Sequence, residues 1–254
     1  MNYIFKLTTR GLCSELNSLL GFYESIIDEE CKVFIDGSAS QYFKDVSIYD
    51  VFNFPCNFVK EAPSEATMIS SNNWKKAACR NYKCSLSSQI CLDFFTLNRS
   101  FQDAIDSKVI SLKLPDDYNC LFIRRGDKVG EALYRWTERT GKTESRRFEV
   151  KDYLQKINNK SLPVFIMTDD YASILEAHEH NVNITTLTTA DQTGHSTDLD
   201  TDNGRCYGMV ELVQFFSEIE IAKHSQEFVG TESSNIFRYI RSTSTDKVEL
   251  KSLD

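Results

Sequence analysis

The chain has 254 residues, and its 29 Lys and Arg against 37 Asp and Glu give a formal net charge of −8. Hydrophobic residues make up 41% and charged residues 26%, which is typical of a globular protein and excludes a disordered chain. The excess of acidic residues argues against a protein that coats nucleic acid, because binding to phosphates favours a net positive charge. The sequence shows no export signal and no apolar run of about 18 residues, which predicts a cytoplasmic protein without a membrane span.

The first part of the chain reads as a βαβ unit followed by irregular structure and a helix. A strand is predicted at residues 2–8, an amphipathic helix at 13–28 and a buried strand at 32–36. Two strands joined by one helix predict a parallel sheet. Residues 38–75 predict an irregular segment and 86–106 a single helix.

A second α/β pattern follows the turn at residues 115–117, where we place a domain joint. Strands are predicted at 119–124, 163–168, 183–188 and 226–230, helices at 149–158, 171–180, 208–223 and 233–241, and a loop at 189–206. The last dozen residues are polar and predict a frayed tail. The architecture expected from these patterns is two Rossmann-like halves with a cleft between them.

Charged residues follow directly on the first strand of the second half. Arg124 and Arg125 are followed by Asp127, Lys128 and Glu131. Ligands of open α/β sheets bind outside the carboxyl ends of strands, where two arginines can hold a diphosphate through charge-assisted hydrogen bonds. The alternative is an ion-pair cluster on the surface.

Two further strands end in polar residues. Asp169 and Asp170 follow one of them and could accept hydrogen bonds from a nucleotide or from a phosphate-binding arginine. Thr231, Ser233 and Ser234 follow the other and precede a helix, whose N-terminus favours anions. Ordinary helix capping explains the same residues in both places.

Gly11 lies in the first strand–helix turn, where it permits close approach of a ligand to the backbone. The turn lacks both the G-x-G-x-x-G fingerprint and a Walker motif. No histidine, cysteine or carboxylate spacing typical of a metal site is found, so we expect no metal.

Taken in order, R-R-G-D-K-V-G, then strand-T-D-D, then strand-G-T-x-S-S resemble the three motifs of the α-1,6- and O-fucosyltransferase superfamily. The turn R-G-x-x-S-E-L-N resembles its N-terminal glycine turn. This resemblance implies a GT-B fold, an inverting mechanism, GDP-fucose as donor and a glycan as acceptor, with no cofactor and no metal. It also implies an acceptor-side domain at 1–107 and a nucleotide-sugar-binding domain at 108–254.

The resemblance assigns roles by position. Arg124 falls on the arginine that binds the donor diphosphate, and Lys128 on the lysine beside it. Glu131 falls close to the glutamate proposed as the catalytic base, with Asp127 as a second choice and Glu15 as a third. The other residues implied at the donor are Arg125, Gly11, Asp169, Asp170, Glu218, Thr231, Ser233 and Ser234.

Phe122 stands where the superfamily usually has a histidine in the donor pocket, so another donor such as UDP-xylose is an alternative. Two other functions stay open. One is a non-catalytic module that binds a nucleotide or sugar, and the other is an unrelated α/β enzyme that acts on a phosphorylated metabolite. The acceptor, the linkage and the oligomeric state carry no signal in the sequence.

Overall fold

A computed structural model describes residues 1–43, 45–71, 86–125, 147–194, 207–244 and 247–254. The chain divides into two compact units. The first comprises Met1–Asp106 and Arg205–Val213, and the second comprises Ser107–Gly204 and Gln214–Asp254.

The first unit contains a parallel sheet of three strands in the order β2-β1-β3. Its strands are β1 (Asn2–Lys6), β2 (Lys32–Asp36) and β3 (Thr67–Ser70). Its helices are α1 (Leu12–Ile26), α2 (Ile48–Val51), α3 (Ser88–Phe94) and α4 (Arg99–Ser111), which passes into the second unit after Asp106. Helix α1 buries Leu16, Leu19 and Leu20 at helical spacing. Strand β3 lies in the segment that we expected to be irregular, because its four residues carry no apolar run of their own.

The single helix predicted at 86–106 is wrong, since residues 95–98 separate α3 from α4. These residues pair with the chain after α2 instead of continuing a helix. The Asn98 side chain donates to the carbonyl of Tyr49 at 2.6 Å, and the amide of Asn53 donates to the carbonyl of Thr96 at 2.7 Å. Tertiary hydrogen bonds therefore override the helical apolar pattern.

The second unit contains a parallel sheet of five strands in the order β6-β5-β4-β7-β8. The strands are β4 (Asn119–Ile123), β5 (Val164–Thr168), β6 (Ile184–Thr186), β7 (Glu227–Gly230) and β8 (Glu249–Ser252). The helices are α5 (Val150–Lys156), α6 (Ala172–His178), α7 (Met209–His224), which enters this unit at Gln214, and α8 (Asn235–Thr243).

The frayed tail predicted at the end of the chain is wrong, because residues 249–252 form β8. This strand pairs in parallel with β7 along its whole length. A salt bridge between Lys251 and Glu227 supports the pairing, and Glu227 also accepts the amide of Asn158 at 2.9 Å. The polar strand is held by its neighbour and not by its own hydrophobicity.

The order of the five strands creates a crevice at one edge of the sheet. The chain runs from β4 to β5 and β6 on one side, and then returns to place β7 on the other side of β4. Strands β4, β5 and β7 are buried at every residue. Parallel α/β sheets bind ligands outside the carboxyl ends of the strands at such a switch point. The residues that follow β4 and β7 therefore lie where a ligand would bind.

Gly230 ends β7 where helix α8 packs closely against it. A Cβ on Gly230 would lie 2.8 Å from Cδ2 of Phe237, whose ring is buried and stacks on Phe228 at 5.5 Å. We expect Gly230→Ala to lower the free energy of unfolding by about 1–3 kcal/mol, because a packed ring must move. Urea denaturation monitored by circular dichroism measures the change.

Gly11→Ala is the matched control. A Cβ on Gly11 meets no atom within 4 Å, and the φ of −58° suits any residue. The free energy of unfolding should change by less than about 0.5 kcal/mol. Equal losses in the two variants would contradict the close packing at Gly230.

Candidate active site

Arg124 and Asp169 meet at the carboxyl edge of the second sheet. Arg124 follows β4 and Asp169 follows β5, and the two strands are hydrogen-bonded neighbours. The Nη1 of Arg124 forms a salt bridge with Oδ2 of Asp169, and each side chain is 16% exposed. The other carboxylate oxygen, Oδ1, accepts the backbone amide of Arg125 at 2.8 Å. Asp169 therefore fixes both the backbone and the side chain of the arginine pair, while part of Arg124 stays open to solvent.

Arg125 points into the protein and is only 6% exposed. Its Nη1 donates to the carbonyl of Phe148, and its Nη2 donates to Oε2 of Glu176 at 3.0 Å. The other oxygen of Glu176, Oε1, accepts the amide of Val150 at 2.6 Å. Two adjacent arginines thus have different surroundings, which the sequence alone did not distinguish.

Asp170 forms a local turn directly before helix α6. Its Oδ1 accepts the amide of Ala172 at 3.0 Å, and its own amide donates to Oγ1 of Thr168 at 3.2 Å. We gave helix capping as the alternative role for this acid, and its Oδ1 does bind an amide at the start of α6, although Tyr171 is the N-cap residue.

The turn after β7 brings three hydroxyl groups to the same edge. Thr231 is 3% exposed, and the hydroxyl of Ser234 caps α8 by accepting the amide of Ile236 at 3.2 Å. The Oγ of Ser233 is buried and has no hydrogen-bond partner within the described part of the chain. A buried hydroxyl without a partner is costly, so a ligand that reached this group would satisfy it.

The backbone amides of this turn are already engaged. The amide of Glu232 donates to Oδ1 of Asp254 at 2.6 Å, and the amide of Ser233 donates to Oδ2 of the same carboxylate at 3.4 Å. Glu232 also forms a salt bridge with Arg241. Sequence reasoning missed Asp254, because a polar residue so far along the chain carries no local signal.

Glu218 is buried on α7 against the sheet. Burial raises the pKa of its carboxyl to about 8, and its charge in turn adds to the effect of burial in raising the pKa of the Cys120 thiol in β4. The hydrogen bonds that join Arg124, Arg125 and Asp169 do not include Glu218. Its neighbour Cys120 lies in the interior of β4 and not at the carboxyl end of the strand.

Two of the predicted residues lie in the first unit. Gly11 precedes α1 and has room for a side chain, so packing within the protein does not require a glycine there. Glu15 is 0% exposed, and its Oε1 accepts the hydroxyl of Thr8 at 2.6 Å. Its Oε2 has no partner among the described residues.

Asp127, Lys128 and Glu131 lie outside the described residues. Phe122 is 3% exposed in β4, close to Gly230. Among the described residues, no group of three or more His, Cys, Asp or Glu could hold a metal ion. None of the helices in the described ranges is both long and apolar enough to span a membrane.

Comparison with known proteins gives matches in structure alone. No sequence profile of a protein family matches the chain, and no curated protein sequence does. The fold is similar to that of the NodZ α-1,6-fucosyltransferase crystallised with GDP, with a TM-score of 0.59 at 12% identity over 95% of this chain and 92% of that chain. The same enzyme soaked with GDP-fucose gives a TM-score of 0.54 at 13% identity over 95% and 93% of the two chains. A variant of FUT1 from Arabidopsis thaliana in complex with GDP gives 0.52 at 9% identity over 98% and 69%.

The chain has the fold of these fucosyltransferases. The predicted α/β class with parallel sheets, of the GT-B type, is confirmed, and so is the resemblance to the superfamily at the level of fold. At 9–13% identity the likeness extends to the fold alone. A shared fold does not fix the function, which depends on the residues at the strand ends.

Proposed function

We propose that the protein is an inverting glycosyltransferase that transfers fucose from GDP-fucose to a hydroxyl group of a glycan. The observation that carries the proposal is Arg124, a partly open arginine held by Asp169 at the switch point of a parallel sheet. Solved proteins of the same fold bind GDP or GDP-fucose. An arginine in this position suits the diphosphate of such a donor.

The turn after β7 supplies further groups for the diphosphate. The hydroxyl of Ser233 lacks a partner among the described residues, and Thr231 and Ser234 lie beside it in the sequence. Because Asp254 occupies the amides of Glu232 and Ser233, we assign the diphosphate to the partly exposed guanidinium of Arg124. The buried hydroxyl group of Ser233 can join it only after the turn rearranges.

In the proposed reaction the acceptor oxygen forms a bond to C1 of fucose as the bond from C1 to the β-phosphate oxygen breaks. GDP leaves with the electron pair of that bond, and the proton of the acceptor hydroxyl passes to a carboxylate base. Glu131 is our first candidate for the base and Asp127 the second. Glu15 is the weakest of the three, because a carboxylate with no exposed surface cannot reach an acceptor without rearrangement.

Donor binding tests the proposal directly. We expect GDP and GDP-fucose to raise the melting temperature of the protein, whereas UDP and UDP-xylose should not. A ligand at about 100 times its dissociation constant adds about 2.7 kcal/mol of stability, which corresponds to roughly 5–10 °C. EDTA should leave the shift unchanged, because the proposal includes no metal.

The same panel separates the alternatives. A rise in melting temperature with UDP and UDP-xylose alone would mean that the donor is a uridine nucleotide sugar and not GDP-fucose. A rise in melting temperature with GDP, without transfer of fucose to any glycan in an acceptor array, would mean that the protein is a non-catalytic binding module. No shift with any nucleotide would reject the proposal in favour of an unrelated enzyme.

A further inference from the structure

The turn between β7 and α8 binds a carboxylate of the protein itself. Asp254 accepts the amide of Glu232 on Oδ1 at 2.6 Å and the amide of Ser233 on Oδ2 at 3.4 Å. The hydroxyl of Ser252 also donates to Oδ1, at 2.8 Å. Two successive amides that face one anion, directly before the positive end of a helix, form an arrangement that favours anions. The carboxylate of Asp254 therefore lies where an anionic group of a ligand would be held.

Strand β8 brings Asp254 to this turn. Ser252 pairs with Gly230 in the parallel register of β7 and β8, and the amide of Leu253 donates to the carbonyl of Gly230 at 3.0 Å. The chain therefore runs beside β7 as far as the turn, and the next residue is Asp254. The contact follows from the pairing of the two strands and does not involve the core.

The hydrogen bonds to the Asp254 carboxylate come from neutral donors. Asp254 is exposed, and none of the salt bridges among the described residues includes it. The side chain of Glu232, in contrast, pairs with Arg241. Hydrogen bonds from neutral amides to an exposed carboxylate compete with water and contribute little net stability. A diphosphate carries more charge than a carboxylate and can displace Asp254 from the same amides.

The turn also lies at the edge where we place the donor. The Oγ of Ser233 is buried without a hydrogen-bond partner in the described part of the chain, so the turn has a donor that the protein does not use. Strand β7 is the neighbour of β4, and Arg124 follows β4 directly. Residues that follow neighbouring parallel strands lie at one edge of the sheet. A diphosphate bound by Arg124 therefore arrives at the edge that Asp254 occupies.

We propose that Asp254 makes an autoinhibitory contact, in which its carboxylate occupies the amides of Glu232 and Ser233 until a phosphate group of the donor displaces it. This inference rests on the proposed function and adds to it a competing group within the protein. A ligand that needs the open turn binds with an affinity reduced by the fraction of molecules in which the turn is open. Removal of the carboxylate should therefore strengthen donor binding.

The test compares two variants of Asp254 by titration calorimetry with GDP. Asp254→Ala frees both amides, and we expect it to bind GDP about 5- to 10-fold more tightly than the wild type. Asp254→Asn removes the same negative charge but keeps an oxygen that can accept the amide of Glu232. The gain in GDP affinity in this variant should be no more than about 2- to 3-fold, because the amide stays partly occupied.

Asp117→Ala is the control for the loss of an acidic residue. Asp117 is exposed shortly before β4, at the opposite edge of the sheet, and its Oδ1 accepts the side-chain amide of Gln226 at 2.7 Å. GDP affinity in this variant should remain within about 2-fold of the wild type, because a distant exposed charge is screened by salt.

Hydrogen exchange with inorganic pyrophosphate as the ligand tests the contact without the nucleoside. The amides of Glu232 and Ser233 should exchange at least about 10-fold faster in Asp254→Ala than in the wild type, and pyrophosphate should slow them again. If neither the wild type nor Asp254→Ala bound GDP, the proposed function would fail. The exchange rates would still decide whether Asp254 occupies a turn that binds anions.

Three results would overturn the inference. Equal or weaker GDP binding in Asp254→Ala would mean that Asp254 does not compete with the donor. Equal gains in Asp254→Ala and Asp254→Asn would mean that the negative charge repels the donor and that occupation of the amides has no effect. Exchange of the two amides that changes neither in Asp254→Ala nor with pyrophosphate would remove the contact itself. If Asp254→Ala does not fold, Asp254→Ser, which also lacks a carboxylate, is subject to the same three criteria.

Discussion

Arg124→Met should weaken GDP binding by about 30- to 100-fold. This range corresponds to about 2–2.7 kcal/mol, which is the loss of one hydrogen bond between charged groups, worth about 1.5–3 kcal/mol. Methionine keeps much of the length of the side chain and removes only the guanidinium, which is partly exposed beside Asp169. Titration calorimetry with GDP measures the change, and transfer of fucose should fall with it.

Lys223→Met is the control for the loss of a positive charge. Lys223 forms an ion pair with Glu220 near the end of α7, and its 15% exposure matches the 16% of Arg124. GDP affinity in this variant should remain within about 2-fold of the wild type. Equal losses in both variants would mean that the net charge of the unit, and not the position of Arg124, governs binding.

Glu218→Gln should remove a large pH dependence of stability. Burial raises the pKa of Glu218 to about 8, so the native carboxyl is protonated near neutral pH, whereas its ordinary value is 4.5. Between these two values unfolding releases a proton, so the stability of the wild type falls as pH rises through that window. Relative to the wild type, the Gln variant should gain about 1 kcal/mol per pH unit from pH 5 to pH 8.

Urea denaturation at four pH values across this window measures the difference. Glu179→Gln serves as the control, because Glu179 is exposed at the end of α6 and its variant should follow the wild-type curve. A constant difference between Glu218→Gln and the wild type would mean that Glu218 is charged in the native protein. The neighbouring Cys120 is neutral throughout the window, because burial and Glu218 both raise its pKa.

The strands of the second sheet were predictable because β4, β5 and β7 are short apolar runs buried on both faces. Strand β8 was not, since Glu249, Leu250, Lys251 and Ser252 read as a polar tail. This strand forms because it pairs with β7 and because Lys251 makes a salt bridge to Glu227, which lies 24 residues earlier in the chain. Contacts of this range leave no periodic pattern in the sequence.

The candidate site could be predicted only as far as the ends of the strands could be predicted from the sequence. The positions after β4 and β5 predicted that Arg124 and Asp169 lie at the same edge of the sheet, and the two form a salt bridge there. The different surroundings of Arg124 and Arg125 could not be read in advance, because they depend on Phe148 and Glu176, which lie 23 and 51 residues away from Arg125. A dipeptide of identical residues carries no information about which side chain turns inward.

Strand β8 also protects the sheet against association with other chains. It is the outermost strand beside β7, and its exposed Glu249 and its Lys251 are the kind of charged residues that discourage pairing with a second molecule. Strand β7 has less of this protection, since Glu227 is the one charged residue among its four. A truncation before residue 249 would turn β7 into a largely apolar edge with unpaired backbone groups and would leave Glu227 without Lys251, which favours aggregation.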